Sequence, residues 1–304
     1  RTQNALAQLP SENRAVGLQL AGHAFGGVIN TGAFAMLSAA LPPTADHQSR
    51  KDAALAALRG MNSSVVWSPF FVSFAVGQVF IDARSAWLAI GVGVLTSLAF
   101  ALVTLPIFTP KLTFAKIRAS LACLKPVSSR LLFVLVSVLL VALVFDLTAL
   151  SAVVAVMPVI IIIQFIRQPQ NIRAIVTTSH QALNKVSDDI VVISAAMILG
   201  FLVTRTNAVA PFLSMLTADV FPAYIALIAT PVVMCLASFV GIHPVITSTF
   251  LLSLFSGGGS DAPGFLLMQA HMIGWAAGTM SSLASLSVIS CSTLYRIPTR
   301  ELAL

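Results

Sequence analysis

The sequence predicts an all-α polytopic membrane protein with about nine crossings, arranged as two inverted repeats that contain broken helices and re-entrant hairpins. Three observations predict it: a composition too apolar for a water-facing surface, a succession of apolar runs of membrane-crossing length, and an internal similarity at a nearly constant offset. Only 9% of the 304 residues are charged and 58% are apolar, whereas a soluble domain carries about 25% charged residues. The mean hydropathy of +0.95 agrees. Such a chain cannot dress a water-facing surface, and a bilayer removes the need to. The net charge of +7 does not indicate nucleic acid, because the basic residues sit in short gaps between apolar runs. Cys123, Cys235 and Cys291 have no paired spacing, which argues against a disulfide framework or zinc site.

A crossing needs about 20 mostly apolar residues. The candidate crossings are Ala15–Leu41, Met61–Ile81, Ala86–Ile107, Leu131–Leu147, Thr148–Ile166, Asp189–Val203, Phe221–Val240, His243–Phe255 and Gly264–Ser290. The Asp189 and His243 segments are short and are expected to be broken or tilted. Ala208–Ala218 is too short to cross and reads as a surface or re-entrant piece. The chain opens on Arg1 without a signal segment and is expected to be a fragment whose missing upstream part holds at least one more crossing.

The positive-inside rule assigns sides. Arg50, Lys51 and Arg59 fill one gap; Lys111, Lys116, Arg118, Lys125 and Arg130 a second; Arg167, Arg173 and Lys185 a third. With Arg296 and Arg300 of the tail, these account for 13 of the 17 Lys and Arg residues. Placing these gaps and the C-terminus in the cytoplasm makes every crossing alternate correctly.

Gly26 to Phe34 aligns with His243 to Leu251 at an offset of 217, and Gly60 to Ser68 aligns with Gly278 to Leu286 at 218. The charge rule runs Met61–Ile81 outward and Gly264–Ser290 inward, so the copies are opposed in direction. Inverted repeats of this kind are a signature of secondary transporters. The expected divisions are residues 1–107, a first repeat short of its beginning; 108–188, a connection with two central helices; and 189–304, the second repeat.

The four aligned motifs interrupt apolar segments with polar and helix-breaking residues, which are tolerated at membrane depth where they line a cavity. Asn30, Thr31, Asn62, Ser63, Ser64, Thr247, Ser248, Thr249, Ser281 and Ser282 supply short neutral donors and acceptors and are the expected substrate ligands. Gly32, Gly60, Pro69, Pro244 and Gly278 are the expected helix breakers. Freed amides would face an anion, and freed carbonyls near Asn30 and Thr247 would ligate Na+. Small residues also line ordinary helix contacts in membranes, and a single Ser is more often glue than ligand. His243 is either a kink partner or a ligand and proton carrier. His271 lies within an apolar crossing, where it is either a proton relay or a satisfied interior histidine.

These motifs resemble the ion transporter superfamily, the group of divalent-anion/sodium symporters, citrate and arsenite permeases, and the membrane subunits of tripartite dicarboxylate carriers. The likeness rests on Val28-Ile29-Asn30-Thr31, the stretch from Asn62-Ser63-Ser64 to Ser68-Pro69, His243 through Thr249, and Gly278 through Ser285. It implies a secondary active permease of the inner membrane that moves a small carboxylate-type anion by alternating access, coupled to Na+ or H+. The expected partners are that anion, the bilayer and a second copy in a homodimer, with no nucleic acid, no cofactor and no enzymatic activity. A non-transporting scaffold subunit and a membrane-embedded enzyme acting on a lipid-linked substrate are the competing readings. The scattered acids and bases disfavour the enzyme.

Overall fold

The computed structural model describes residues 6–109, 112–173, 220–256, 259–283 and 285–303, with a few isolated positions between 174 and 219. Every regular element among them is helical. The only strand-like feature among them is an isolated bridge between Phe221 and Ser260. In chain order, α1 (Ser11–Ile29) stops at Asn30, whose φ of 50° takes it out of the helical region, and α2 (Gly32–Ser38) restarts at once. Among non-glycine residues, Asn is one of those enriched at positive φ. Next, α3 (His47–Val65) is capped by Asp46, which accepts the Ser49 N–H at 2.6 Å. A break carrying Pro69 then leads into α4 (Val72–Phe80). Asp82 caps α5 (Ala83–Phe108) through the Ser85 N–H, and the short α6 (Phe114–Ala122) follows.

A hairpin of α7 (Lys125–Val144) and α8 (Ala149–Arg167) turns at Asp146, another residue with positive φ. The pattern of the first four helices then recurs. Helix α9 (Ala223–Phe239) is followed by a break through Gly241 and by α10 (Pro244–Phe255), and α11 (Gly264–Ser281) is followed by a break and by α12 (Leu286–Tyr295). In each group a long helix, a break and a short helix occur twice in succession.

Two helices, α5 and α7, are each long and apolar enough to cross a membrane, and α11 with α12, bent by 41°, makes a third candidate if counted as one span. At 26 and 20 residues, α5 and α7 extend about 39 and 30 Å at 1.5 Å per residue, against a hydrocarbon core of about 30 Å. Their outer faces carry large bare side chains, Leu102 at 68% exposure and Val144 at 72%. Apolar surface on this scale is what an acyl environment covers.

One continuous core joins α1–α5 to α9–α12, running from Leu6 to Leu302, and the α7–α8 hairpin has its own small cluster of Val138, Ala142, Ala152 and Val156. The hairpin is tied to α4 by the Ala149 N–H, which donates to Gln78 Oε1 at 2.9 Å. Within the main body, α1 packs chiefly on α3 and α9 chiefly on α11. Across the two groups α2 meets α12, α4 meets α10, and α3 meets α11. Exchanging the groups maps each of these contacts onto another of the same kind.

Several expectations need correction. Met61–Ile81 is not one helix: α3 begins fourteen residues earlier, at His47, and the chain is interrupted between Val65 and Val72. Arg50, Lys51 and Arg59, expected in a loop, therefore lie on a helix. Ala15–Leu41 and Gly264–Ser290 are each two helices. Gly60 and Gly278, expected as breakers, lie inside α3 and α11. They serve close approach instead: a Cβ on Gly60 would fall 2.0 Å from the Gln19 carbonyl oxygen of α1, and one on Gly278 would fall 2.6 Å from Ser238 Oγ of α9. Asp189–Val203 and Ala208–Ala218 lie outside the described residues, apart from positions 191, 194, 195, 198 and 202.

Candidate functional site

The breaks converge. Asn30 and Thr31 of the first break, Phe71 and Val72 of the second, His243 and Pro244 of the third, and Ser285 and Ser287 of the fourth line one cavity of about 80 Å3. Thr279 and Trp275 of α11 complete its wall. Each pair contains the residue at which a short helix restarts. Thr31, Phe71, His243 and Ser285 are the N-cap residues of α2, α4, α10 and α12. The cavity is thus ringed by helix N-termini, whose aligned peptide dipoles favour negative charge even where a cap already takes a first-turn amide.

Local chemistry explains each restart. Pro244 sits at the first turn of α10, where its missing N–H costs nothing. The preceding His243 caps the helix, its Nδ1 accepting the Val245 N–H at 3.2 Å. Ser285 Oγ accepts the Val288 N–H at 3.1 Å and donates to the Thr279 carbonyl. Ser68 Oγ, in the second break, donates to the Gly27 carbonyl at 2.6 Å, so one break satisfies an orphan acceptor left by another. The side chains of Asn30, Thr31 and Ser287 make no hydrogen bond to another described residue, and Ser287 is buried.

Other expected ligands are committed elsewhere. Thr247 Oγ1 donates to the Pro244 carbonyl, Thr249 Oγ1 to Val245 and Ser64 Oγ to Met61, each closing on its own helix. Ser281 Oγ donates to the Gly278 carbonyl, and Ser282 caps α11 with its N–H on that same carbonyl. Neither Thr247, Ser248 nor Thr249 reaches the cavity wall. Of the two motifs expected to offer carbonyls to Na+, the first brings Asn30 and Thr31 to the cavity and the second brings His243 and Pro244 but not Thr247.

The interior histidines have their tautomers set by their partners. His271 is fully buried, and its Nε2 lies 2.8 Å from the Ser73 carbonyl, which can only accept. Nδ1 must then accept the Ser248 hydroxyl, 3.0 Å away. His23 is the reverse: Trp67 Nε1–H donates to its Nε2 at 3.2 Å, so Nδ1 carries the proton and faces Ser63 Oγ at 2.9 Å. In both cases a neutral ring completes every bond, and His271 pins α11 to α10 and to the start of α4. Of the two histidines considered for proton coupling, only His243 touches the cavity.

Asn62 spans the two groups of helices. Its Nδ2 donates to the Leu58 carbonyl at 3.0 Å, and its Oδ1 accepts the Thr279 hydroxyl at 2.7 Å. Thr279 lines the break cavity, whereas Asn62, with Ser63 and Ser281, lines a second and larger one. Sequence reasoning missed Ser287 and the wall residues Val65, Phe71 and Trp275. A Ser at the first or second position after a break was the available signal, because it sits where a restarting helix presents its amides. No family model, characterised protein or solved structure matches the chain.

Proposed function

We propose that the chain is a secondary active transporter, a multi-pass permease of the inner membrane that moves a small carboxylate-type anion by alternating access, coupled to Na+ or H+. One observation carries this reading: the N-termini of short helices from both groups meet at a single cavity that also exposes neutral donors. Fixed dipoles and amides bind an anion without a buried cation, and here they come from both groups of helices. The repeated order of long helix, break and short helix supports an inverted duplication, as does the offset near 217. On this reading the helices shorter than a bilayer cross it in broken pairs, and the basic gaps and C-terminus face the cytoplasm. The carbonyl ends of α1, α3 and α11 at the same cavity offer oxygen ligands for a coupling cation. The motif resemblance to the ion transporter superfamily points the same way.

The test is counterflow in proteoliposomes preloaded with unlabelled carboxylate, with radiolabelled succinate, citrate or lactate outside. Accumulation of label that depends on Na+ or on a pH gradient is expected. Ser287→Ala and Asn30→Gly should each raise the half-saturating concentration by about tenfold or more, the value of one lost hydrogen bond to a charged group. Absence of exchange across mono-, di- and tricarboxylates, with folded protein in the membrane, would overturn the proposal.

A further inference from the structure

A second cavity, about 470 Å3, lies between α3, α5 and α11 and is separate from the one at the breaks. Ligand pockets commonly occupy about 300–1,000 Å3. Its wall holds a single formal charge, Arg59. That side chain is 8% exposed, and its Nε has no hydrogen-bond acceptor among the described residues. Neither ion pair of the described residues involves it, since both His47 and Lys51 pair with Glu301. The acid in register on the same helix, Asp52, is two turns away and accepts from Gln48 Nε2. Burying a cation without an anionic partner is costly, so such a group is retained where something else answers its charge.

The surroundings specify what that something is. The guanidinium carbon lies 4.1 Å from the centroid of the Phe108 ring. A ring over one face fixes the plane of the guanidinium and leaves its in-plane N–H fork for a two-oxygen acceptor. The hydroxyls of the wall have spent their protons. Thr96 and Thr104 donate to carbonyls one turn back on α5, Ser63 does so on α3 and Ser281 does so on α11, while Asn62 Nδ2 gives one of its two N–H groups to the Leu58 carbonyl and keeps the other. Val66, Phe100, Ile273 and Met280 make up much of the rest. A ligand here meets one cationic fork, one neutral amide N–H and otherwise largely carbon, so a second carboxylate would be buried without a counter-charge.

We propose that this cavity is a binding site for an amphiphilic oxyanion, a single carboxylate or phosphate head on an apolar body, with Arg59 as the head-group ligand. The site lies outside the break cavity, and its assignment does not rest on the transport reading. The head group could come from an anionic lipid of the bilayer or from a free amphiphilic carboxylate, and the experiment separates the two.

The full chain is reconstituted in nanodiscs of purely zwitterionic lipid, and binding of radiolabelled octanoate is measured directly, with succinate and octylamine as competitors. Saturable binding is expected, displaced by neither competitor. Arg59→Gln should weaken it about ten- to a hundredfold, the range expected for losing a charged hydrogen-bond partner. Arg59→Lys keeps the charge without the fork and should fall between. Ala277→Leu, which fills the cavity without touching Arg59, should weaken octanoate more than butyrate and provides an independent arm should Arg59→Gln misfold. Mass spectrometry of protein purified from native membranes gives the source. An anionic phospholipid retained by wild type and lost from Arg59→Gln identifies the bilayer, whereas octanoate binding with no retained lipid identifies a free carboxylate. No octanoate binding and no retained anionic lipid, or equal binding by wild type and both Arg59 variants, would overturn the assignment. Counterflow plays no part in this readout, so failure of the transport proposal leaves it interpretable.

Discussion

Substituting Gly60 by Ala tests the seam on which the site depends. The added Cβ would stand 2.0 Å from the Gln19 carbonyl oxygen, 2.9 Å from the Gln19 carbonyl carbon and 2.9 Å from the His23 nitrogen, all backbone of α1. Real Cβ contacts essentially never fall below 3.0 Å, so α1 and α3 must part by about 1 Å, and no side-chain rotamer can absorb the shift. Overpacking a dense interface costs about 1–3 kcal/mol, and the upper end applies because the obstacle is main chain. Gly91 on α5 is the control, since nothing lies within 4 Å of its added Cβ. Gly91→Ala should be neutral or stabilising by up to about 1 kcal/mol from helix propensity. The variants should therefore differ by about 2–4 kcal/mol. At about 2–4 °C per kcal/mol, the apparent midpoints of thermal unfolding in detergent should separate by roughly 5–15 °C. His23 and Ser63 face each other across the same seam, so near-ultraviolet circular dichroism of Trp67 should change in Gly60→Ala alone. Midpoints within about 1 °C of each other would refute the close-packed seam.

Two further outcomes follow from single hydrogen bonds. Thr279→Val keeps the shape of the side chain but leaves Asn62 Oδ1 without its donor, so it should cost about 1–3 kcal/mol in thermal stability. Restoring most of that with Asn62→Leu in the double variant would confirm coupling, and simple additivity would argue against it. The Ser85 backbone N–H holds the Asp82 carboxyl below its ordinary pKa, so the cap contributes fully above the unfolded value of about 3.9 and is lost as pH falls through the lower folded value. Melting midpoints of Asp82→Asn should accordingly fall less steeply than wild type below about pH 4, and superimposable acid limbs would exclude the cap as the cause.

Much of the architecture was legible because its signals are chemical and local. The apolar run of Ala86–Ile107 and the Val-Leu and Ile runs of α7 and α8 stand out by hydropathy alone. The interruptions at Asn30, Pro69 and Pro244 follow from backbone chemistry. Helix α3 was hidden because its first half carries charge, yet its inner face is alanine, with Ala53, Ala54, Ala56 and Ala57 all buried against protein. Hydropathy measures affinity for lipid and misses a helix whose partner is another helix. Gly60 and Gly278 were misread because sequence does not reveal whether a neighbouring backbone lies within contact distance. The bonds of the motif hydroxyls were illegible for a related reason. Ser64, Thr247 and Thr249 have acceptors three or four residues back, and a hydroxyl within a helix reaches that carbonyl before anything distant. Arg59 was counted toward sidedness, a property of net charge that is silent about burial.

The bond between Asn62 and Thr279 joins residues 217 positions apart, one short of the 218 that relates the pair of motifs in which they lie. If the two groups of helices are copies, each of these side chains is touching the near-equivalent of itself. Only points on a two-fold axis have that property, so the approximate dyad passes through the contact of α3 with α11. Positions on an axis are displaced least when the bodies around it rotate. The Asn62–Thr279 bond would then be a pivot, and the outlying contacts of α2 with α12 and of α4 with α10 would be where motion between the halves is largest.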